Sequence, residues 1–269
     1  MNSRKKFAFA AVLAALALIS SALGQSNLSA VAQTTALYDN FDKKFLNPSK
    51  WNSTGACYTD NGSELECVRQ VVDEKLHLAH RHFGNRNTDV GFQFGSASVS
   101  FVNPSQIKSI TTDLVLRDAA QSDCAANPLF GPAAHIDANF FNTGSGNWSD
   151  DVGGHIGFAP DPSGNVTVFG QISQGNNYFF YLPLGNTSMH TPLRVTLRWD
   201  QLNHRFLVSW TDLLTKIETD GVMPYTFDDS TPATNPAKFL TVNTFPANCT
   251  ASATFQFIDA TFARVYVGK

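Results

Sequence analysis

An all-β sandwich of two antiparallel sheets is the fold this sequence predicts, on three observations. From Leu37 onward, short runs of alternating apolar and polar residues are separated by Gly, Pro, Asn and Asp, the pattern of strands half-buried against a core. No stretch carries the apolar spacing of a long amphipathic helix. Phenylalanine is abundant, with 22 in 269 residues, and Phe92/Phe94 and Phe255/Phe257 fall at alternate positions, as expected where two sheet faces meet.

The chain opens on a targeting pattern. Arg4, Lys5 and Lys6 precede an apolar run over 7–19, and small residues follow at Ala22 and Gly24, then at Ala30 and Ala32. The run is too short for a comfortable membrane span. Residues 1–32 are therefore expected to be a signal peptide and leader, cleaved after 24 or near 32, and 33–269 a single secreted domain, extracellular or periplasmic. Removing the leader takes the formal net charge from −3 to −6, because 1–32 holds three cations and no acid. The absence of a basic cluster excludes nucleic acid and anionic membrane surfaces as natural partners. A monomer is expected.

Strands are predicted over 75–82, 91–101, 107–117, 133–142, 155–159, 165–173, 178–182, 193–199, 204–210 and 253–267. Turn chemistry is explicit in DPSGN at 161–165 and DQLNH at 200–204. The longest irregular stretch, 228–237, reads as a surface loop. Four cysteines in an exported chain allow three pairings. Cys57–Cys67 is favoured as a local staple, which leaves Cys124–Cys249. A Cys₄ zinc site is the rival, and no C-x-x-C pair supports it.

The most informative stretch is AHIDANFF at 134–141. Strict alternation puts His135, Asp137 and Asn139 on one strand face and Ile136, Ala138 and Phe140 on the other. Three hydrogen-bonding side chains in a row on one face suggest a lined groove.

Three further segments carry a resemblance: YDNFDKKFLNPSKW at 38–51, LRVTLRWDQLNHRFLVSWTD at 193–212 and FQFIDATFARVYV at 255–267. Together they resemble the concanavalin A-like lectin/glucanase superfamily, and within it the laminarinase-type family 16 glycoside hydrolases. The resemblance implies a concanavalin A-like jelly roll and a catalytic strand reading Glu-x-Asp-x-Glu. In that strand, period two aims a nucleophile, a tuning Asp and an acid/base Glu into one groove. Here the matching strand reads His135-Ile136-Asp137-Ala138-Asn139, so only the central acid remains. Asn cannot deliver a proton and His is a poor glycosyl nucleophile, so the retaining mechanism cannot run as the family runs it. The resemblance also implies a structural calcium held by Asp259, two residues earlier than the family pattern, with help from Asp39.

Other residues are weighed singly. Asp113 and Arg117 alternate on the polar face of 107–117 and are expected either to line the groove with His135 or to lie on a solvated outer face. Trp148, in a loop without apolar partners, is a stacking platform for a sugar ring, whereas Trp199 and Trp210 alternate with core residues. His80 and His82 share a face, with His77 opposite, as a metal pair or a polar sheet surface. Glu64 and Glu66 read as solvated loop charges. No Ser-His-Asp order, phosphate-binding glycine loop or zinc hydrolase motif is visible.

These readings imply a protein that binds a polysaccharide or glycan through His135, Asp137, Asn139 and Trp148 without cleaving it. A glycoside hydrolase or polysaccharide lyase on the same fold is the enzymatic alternative, the lyase using His135 as base and Arg117 as neutralising group. A structural or adhesive module is the third.

Overall fold

The computed structural model describes residues 35–52, 57–60, 65–122, 124, 131–175 and 177–269. Two antiparallel sheets form a jelly-roll sandwich. One runs β14 (Glu218–Pro224), β13 (Arg205–Asp212), β12 (Leu193–Asp200), β7 (Ser109–Ser122), β17 (Phe255–Gly268), β5 (Lys75–Phe83) and β4 (Leu65–Val72), with β1 (Thr35–Asp39) on β17. The other runs β11 (Asn177–Ser188), β10 (Asn165–Gln174), β9 (Asp151–Pro160), β8 (Ala133–Asn142), β16 (Lys238–Thr244), β6 (Gly95–Phe101) and β2 (Trp51–Asn52). In it β3 (Cys57–Thr59) also pairs with β6, and β15 (Thr231–Pro232) with β8. Among the described residues no helix is long and apolar enough to cross a membrane.

Alternate residues of both sheets meet in one core, including Leu78, Ile110 and Phe262 from the first sheet and Ile136, Ile156 and Phe158 from the second. The phenylalanine alternation predicts the right architecture but the wrong residues. On β17 the inward positions are Gln256 and Ile258, while Phe255 and Phe257 are only half-buried. Phe255 instead packs on Phe83, with Arg81 over both rings. Gln93 is likewise buried between Phe92 and Phe94. A one-residue choice of face inverts every side chain, and composition cannot make that choice. Trp210 is buried as expected. Trp199 is half-buried, stacked on Phe141 and donating Nε1–H to the Tyr225 hydroxyl at 2.7 Å.

Both expected disulfides close. Cys57–Cys67 joins β3 of one sheet to β4 of the other. Cys124–Cys249 joins the segment after β7 to the segment after β16. Glu66, expected in a loop, lies in β4 and faces Arg81 at 3.5 Å; Glu64 lies outside the described residues. His80 and His82, weighed as a sheet-surface or metal pair, face the sandwich interior and are fully buried. Burial lowers the His80 imidazole to about 4, and its Nδ1 bonds Thr244 Oγ1 at 2.8 Å. A Cβ at Gly95 would sit 2.4 Å from His80 Cε1, so the glycine makes room for this ring.

Candidate functional site

The alternation on β8 holds: Ile136 and Ala138 are buried in the core, while His135, Asp137 and Asn139 face outward from the nine-stranded sheet. Neighbouring strands extend this face in register. Asp137 lies opposite Phe239 of β16 on one side and His155 of β9 on the other, and His155 lies opposite Gln171 of β10. The turn at 161–165 fixes that last register, with Asp161 Oδ1 accepting from the Ser163 and Asn165 amides at 2.8 and 3.0 Å. Beyond Phe239 the same row reaches Ser100 of β6, where a cavity of about 510 Å³ is lined by Asn52, Ser100, Asn103, Asn235 and Phe239 among others.

Three side chains in this face form a relay. His155 Nδ1 lies 2.6 Å from Asp137 Oδ1, and His155 Nε2 lies 2.5 Å from Ser173 Oγ on β10. Burial pushes the Asp137 carboxyl up, but His155, by charge and hydrogen bond, together with His135 leaves it below the usual carboxylate range. An ionised carboxylate only accepts hydrogen bonds, so the proton belongs on Nδ1 of His155. In the neutral ring Nε2 then accepts from the Ser173 hydroxyl. A Ser-His-Asp constellation is thus present, against the sequence expectation. The relay draws one residue from each of three successive strands.

The walls of the relay depend on glycine. On β9 the outward neighbours of His155 are Gly153 and Gly157. A Cβ at Gly153 would come within 2.7 Å of Asn139 Oδ1, and one at Gly157 within 2.4 Å of Phe169 Cζ. Asn139 and Phe169 therefore lean into the space beside His155 from both sides. His135 packs edge-on to Phe169 at 5.8 Å, with Nδ1 3.8 Å from Asp137 Oδ1. Burial lowers its basicity, partly offset by Asp137, so it stands as a neutral ring. Lys238, 1% exposed, donates to the Asn139 carbonyl at 2.8 Å and the Pro236 carbonyl at 3.2 Å, and burial lowers it to about 7. It ties the loop before β16 to the Asn139 end of β8.

Aromatic rings rim the face on the edge strand β11. Tyr178 pairs with Ser173 and Tyr181 with Gln171, and an irregularity lies between the two pairs. An extra residue in a strand shifts its alternation, so Tyr178 and Tyr181, three apart, both look outward. They are 63% and 54% exposed. Tyr181 stacks on Phe169 at 5.6 Å, and the Tyr178 ring meets His155 edge-on at 6.1 Å. Trp148, 56% exposed, sits in a 3-10 turn between β8 and β9. That loop is fastened to the β10–β11 hairpin by Gln174 Nε2 donating to Thr143 Oγ1 at 2.8 Å. Gly175, at φ +54°, lies where a Cβ would be 2.5 Å from the Ser149 carbonyl oxygen.

Other expected site residues lie elsewhere. Asp113 and Arg117 are on β7 of the eight-stranded sheet, so they do not share the face of His135. Asp113 accepts from Arg194 Nε at 2.9 Å and pairs with Arg264. Arg117 therefore cannot neutralise charge beside His135, which removes the lyase pairing. Asp39 and Asp259 do not meet either. Asp39 lies opposite Val265 of β17, six residues from Asp259, roughly 20 Å along an extended strand. Asp39 accepts from Trp51 Nε1 at 2.6 Å and the Phe41 amide at 3.0 Å, while Asp259 pairs with His77 at 2.9 Å. Sequence reasoning missed His155, Gln171, Ser173, Tyr178 and Tyr181. Each lies at or beside a predicted strand, but only cross-strand pairing brings them together.

No family model matches the chain, and no curated protein matches it. Among solved structures it is similar to the lectin UEA-II complexed with galactose, at 10% identity and TM-score 0.41, covering 86% of this chain and 98% of that one. The alginate lyase Aly36B gives 9% identity and TM-score 0.39 over 88% and 96% of the two chains. A sialidase gives 13% identity and TM-score 0.42 over 87% of this chain but 18% of its own.

Proposed function

We propose that the outer face of the nine-stranded sheet is a glycan-binding groove on a secreted protein. The observation that carries this reading is the pair Tyr178 and Tyr181, both turned outward by the strand irregularity and both exposed beside a row of hydrogen-bonding side chains. Apolar faces of sugar rings pack on aromatic π faces. Gln171, Asn139 and the polar residues at Asn52, Ser100 and Asn235 offer amide and hydroxyl partners along the same face. Trp148 extends the aromatic rim from the adjoining loop. Two disulfides suit an oxidising compartment.

The groove is not built to hydrolyse a glycosidic bond by the two-carboxylate route. His135 and Asn139 flank Asp137 where that route needs a pair of acids. A glycan array, followed by reducing-end assays on every hit, tests both parts. Binding without release of reducing sugar is expected. Binding to no glycan would favour a structural or adhesive module, and vigorous release of reducing sugar would overturn the non-hydrolytic part.

A further inference from the structure

We propose that Ser173 is a nucleophile activated by His155 and Asp137, and that this face carries out acyl transfer from an ester to water. The geometry is that of a working relay: Oγ to Nε2 at 2.5 Å and Nδ1 to the carboxylate at 2.6 Å. Such a set is recognised by mutual position, not by chain order. Simple satisfaction of a buried imidazole does not require all three. A carbonyl would serve Nδ1 as well as an ionised acid does, whereas a carboxylate specifically stabilises the imidazolium formed when Nε2 takes a proton.

Ser173 Oγ attacks the ester carbonyl carbon while its proton passes to His155 Nε2. The carbon–alkoxy oxygen bond then breaks, and the departing alkoxide takes that proton and leaves as an alcohol. Water attacks the acyl-serine, giving one proton to His155, and collapse of the adduct returns it to Ser173 Oγ with release of the carboxylic acid. His155 and Ser173 are the catalytic residues; Asp137 is a positioning residue. Tyr178 lies opposite Ser173 in register and Gln171 two residues before it on the same face, and their O–H and N–H would be the donors for the oxyanion. That the ester is an O-acyl group on a groove-bound glycan rests on the reading above.

Two probes separate the inference from that reading. A fluorophosphonate forms an Oγ–phosphorus bond with expulsion of fluoride, and intact-protein and peptide mass spectrometry locates it. Native wild-type protein should be labelled at Ser173 and should hydrolyse p-nitrophenyl acetate. Both should fall by at least roughly 100-fold in Ser173→Ala and His155→Gln, with each variant's fold checked by circular dichroism. Absence of the adduct on folded wild-type protein would overturn the inference, and that measurement needs no variant. So would ester hydrolysis surviving unchanged in Ser173→Ala. Labelling at Ser173 in a protein that binds no glycan keeps the nucleophile and removes only the glycan as its carrier. Glycan binding without labelling does the reverse.

Discussion

His80 and His82 stand two residues apart on β5 and face the interior; His135 and His155 stand on adjacent strands and face outward. Both pairs are packed closely, yet they have opposite chemistry. The interior pair has one hydroxyl partner, Thr244 Oγ1, and no carboxylate within hydrogen-bonding distance among the described residues. Burial lowers both rings, His80 to about 4, and Asp60 offsets the shift at His82 only in part. They act as neutral core residues with a polar edge. The outer pair surrounds an ionised carboxylate, and His155 has a hydroxyl on its other nitrogen. Burial alone makes a histidine inert; a carboxylate on one nitrogen and a hydroxyl on the other poise it for proton transfer.

The largest expected effect is on stability, from opening a disulfide. Cys124–Cys249 closes a span of 125 residues and Cys57–Cys67 one of 10. In the chain-entropy model these are worth about 5 and about 3 kcal/mol. Replacing Cys124 and Cys249 by Ala should therefore lower the denaturation midpoint more than the same change at the shorter bridge. Equal losses, read by urea titration, would show that loop length does not set what these two bridges contribute.

Acid should separate the buried histidines from Asp137 by pH. A His80 pKa near 4 when folded and near 6.5 when unfolded means the unfolded chain takes up the proton first. Stability is then full above about pH 6.5 and declines as pH falls toward 4, by on the order of 3 kcal/mol. The depressed Asp137 carboxyl acts lower, its contribution being lost only as pH drops below its ordinary value of 3.8. Urea midpoints at pH 7, 5.5 and 4.5 should fall in the wild type and fall less steeply in His80→Leu, the remaining slope coming from His82 and His135, which burial also lowers. An unchanged slope in that variant would move the acid sensitivity away from the interior pair.

The outer relay is sharpened by exchanging only its acid. Asp137→Asn keeps the shape but presents an amide that can donate to Nδ1, favouring the wrong tautomer of His155. Fluorophosphonate labelling of Ser173 should slow by on the order of 100-fold or more, while the melting temperature moves little. A slowing matched by an equal loss of folded protein would make Asp137 as structural as His80. Smallest of all should be the effect of removing one rim ring. Tyr181→Ala should weaken binding of an array-identified glycan by roughly 1–2 kcal/mol, about tenfold or more, as read by calorimetric titration, with labelling of Ser173 retained. Unchanged affinity would leave Trp148 as the stacking ring to test.

Most of the fold was legible because strand periodicity and turn residues are local. The turn at 161–165 and the alternation at 133–142 predict the elements that carry Asp137 and His155 close to where they lie. The half of the candidate site on β8 was visible for the same reason. Asp113 and Arg117 show the limit: alternation along 107–117 does not say which sheet the strand joins. The strand irregularity in β11 hid Tyr178 and Tyr181, because it shifts a period that the sequence does not mark.

By itself, the sequence determined an all-β chain and a polar strand face holding His135, Asp137 and Asn139. Those are statements about neighbours along the chain, where backbone alternation dictates direction. Only the tertiary structure decided that His155 and Ser173 complete a relay with Asp137, and that His80 and His82 are sealed between the sheets. Both outcomes depend on which strands pair and in what register, and that is set by the packing of the whole sandwich rather than by any one segment.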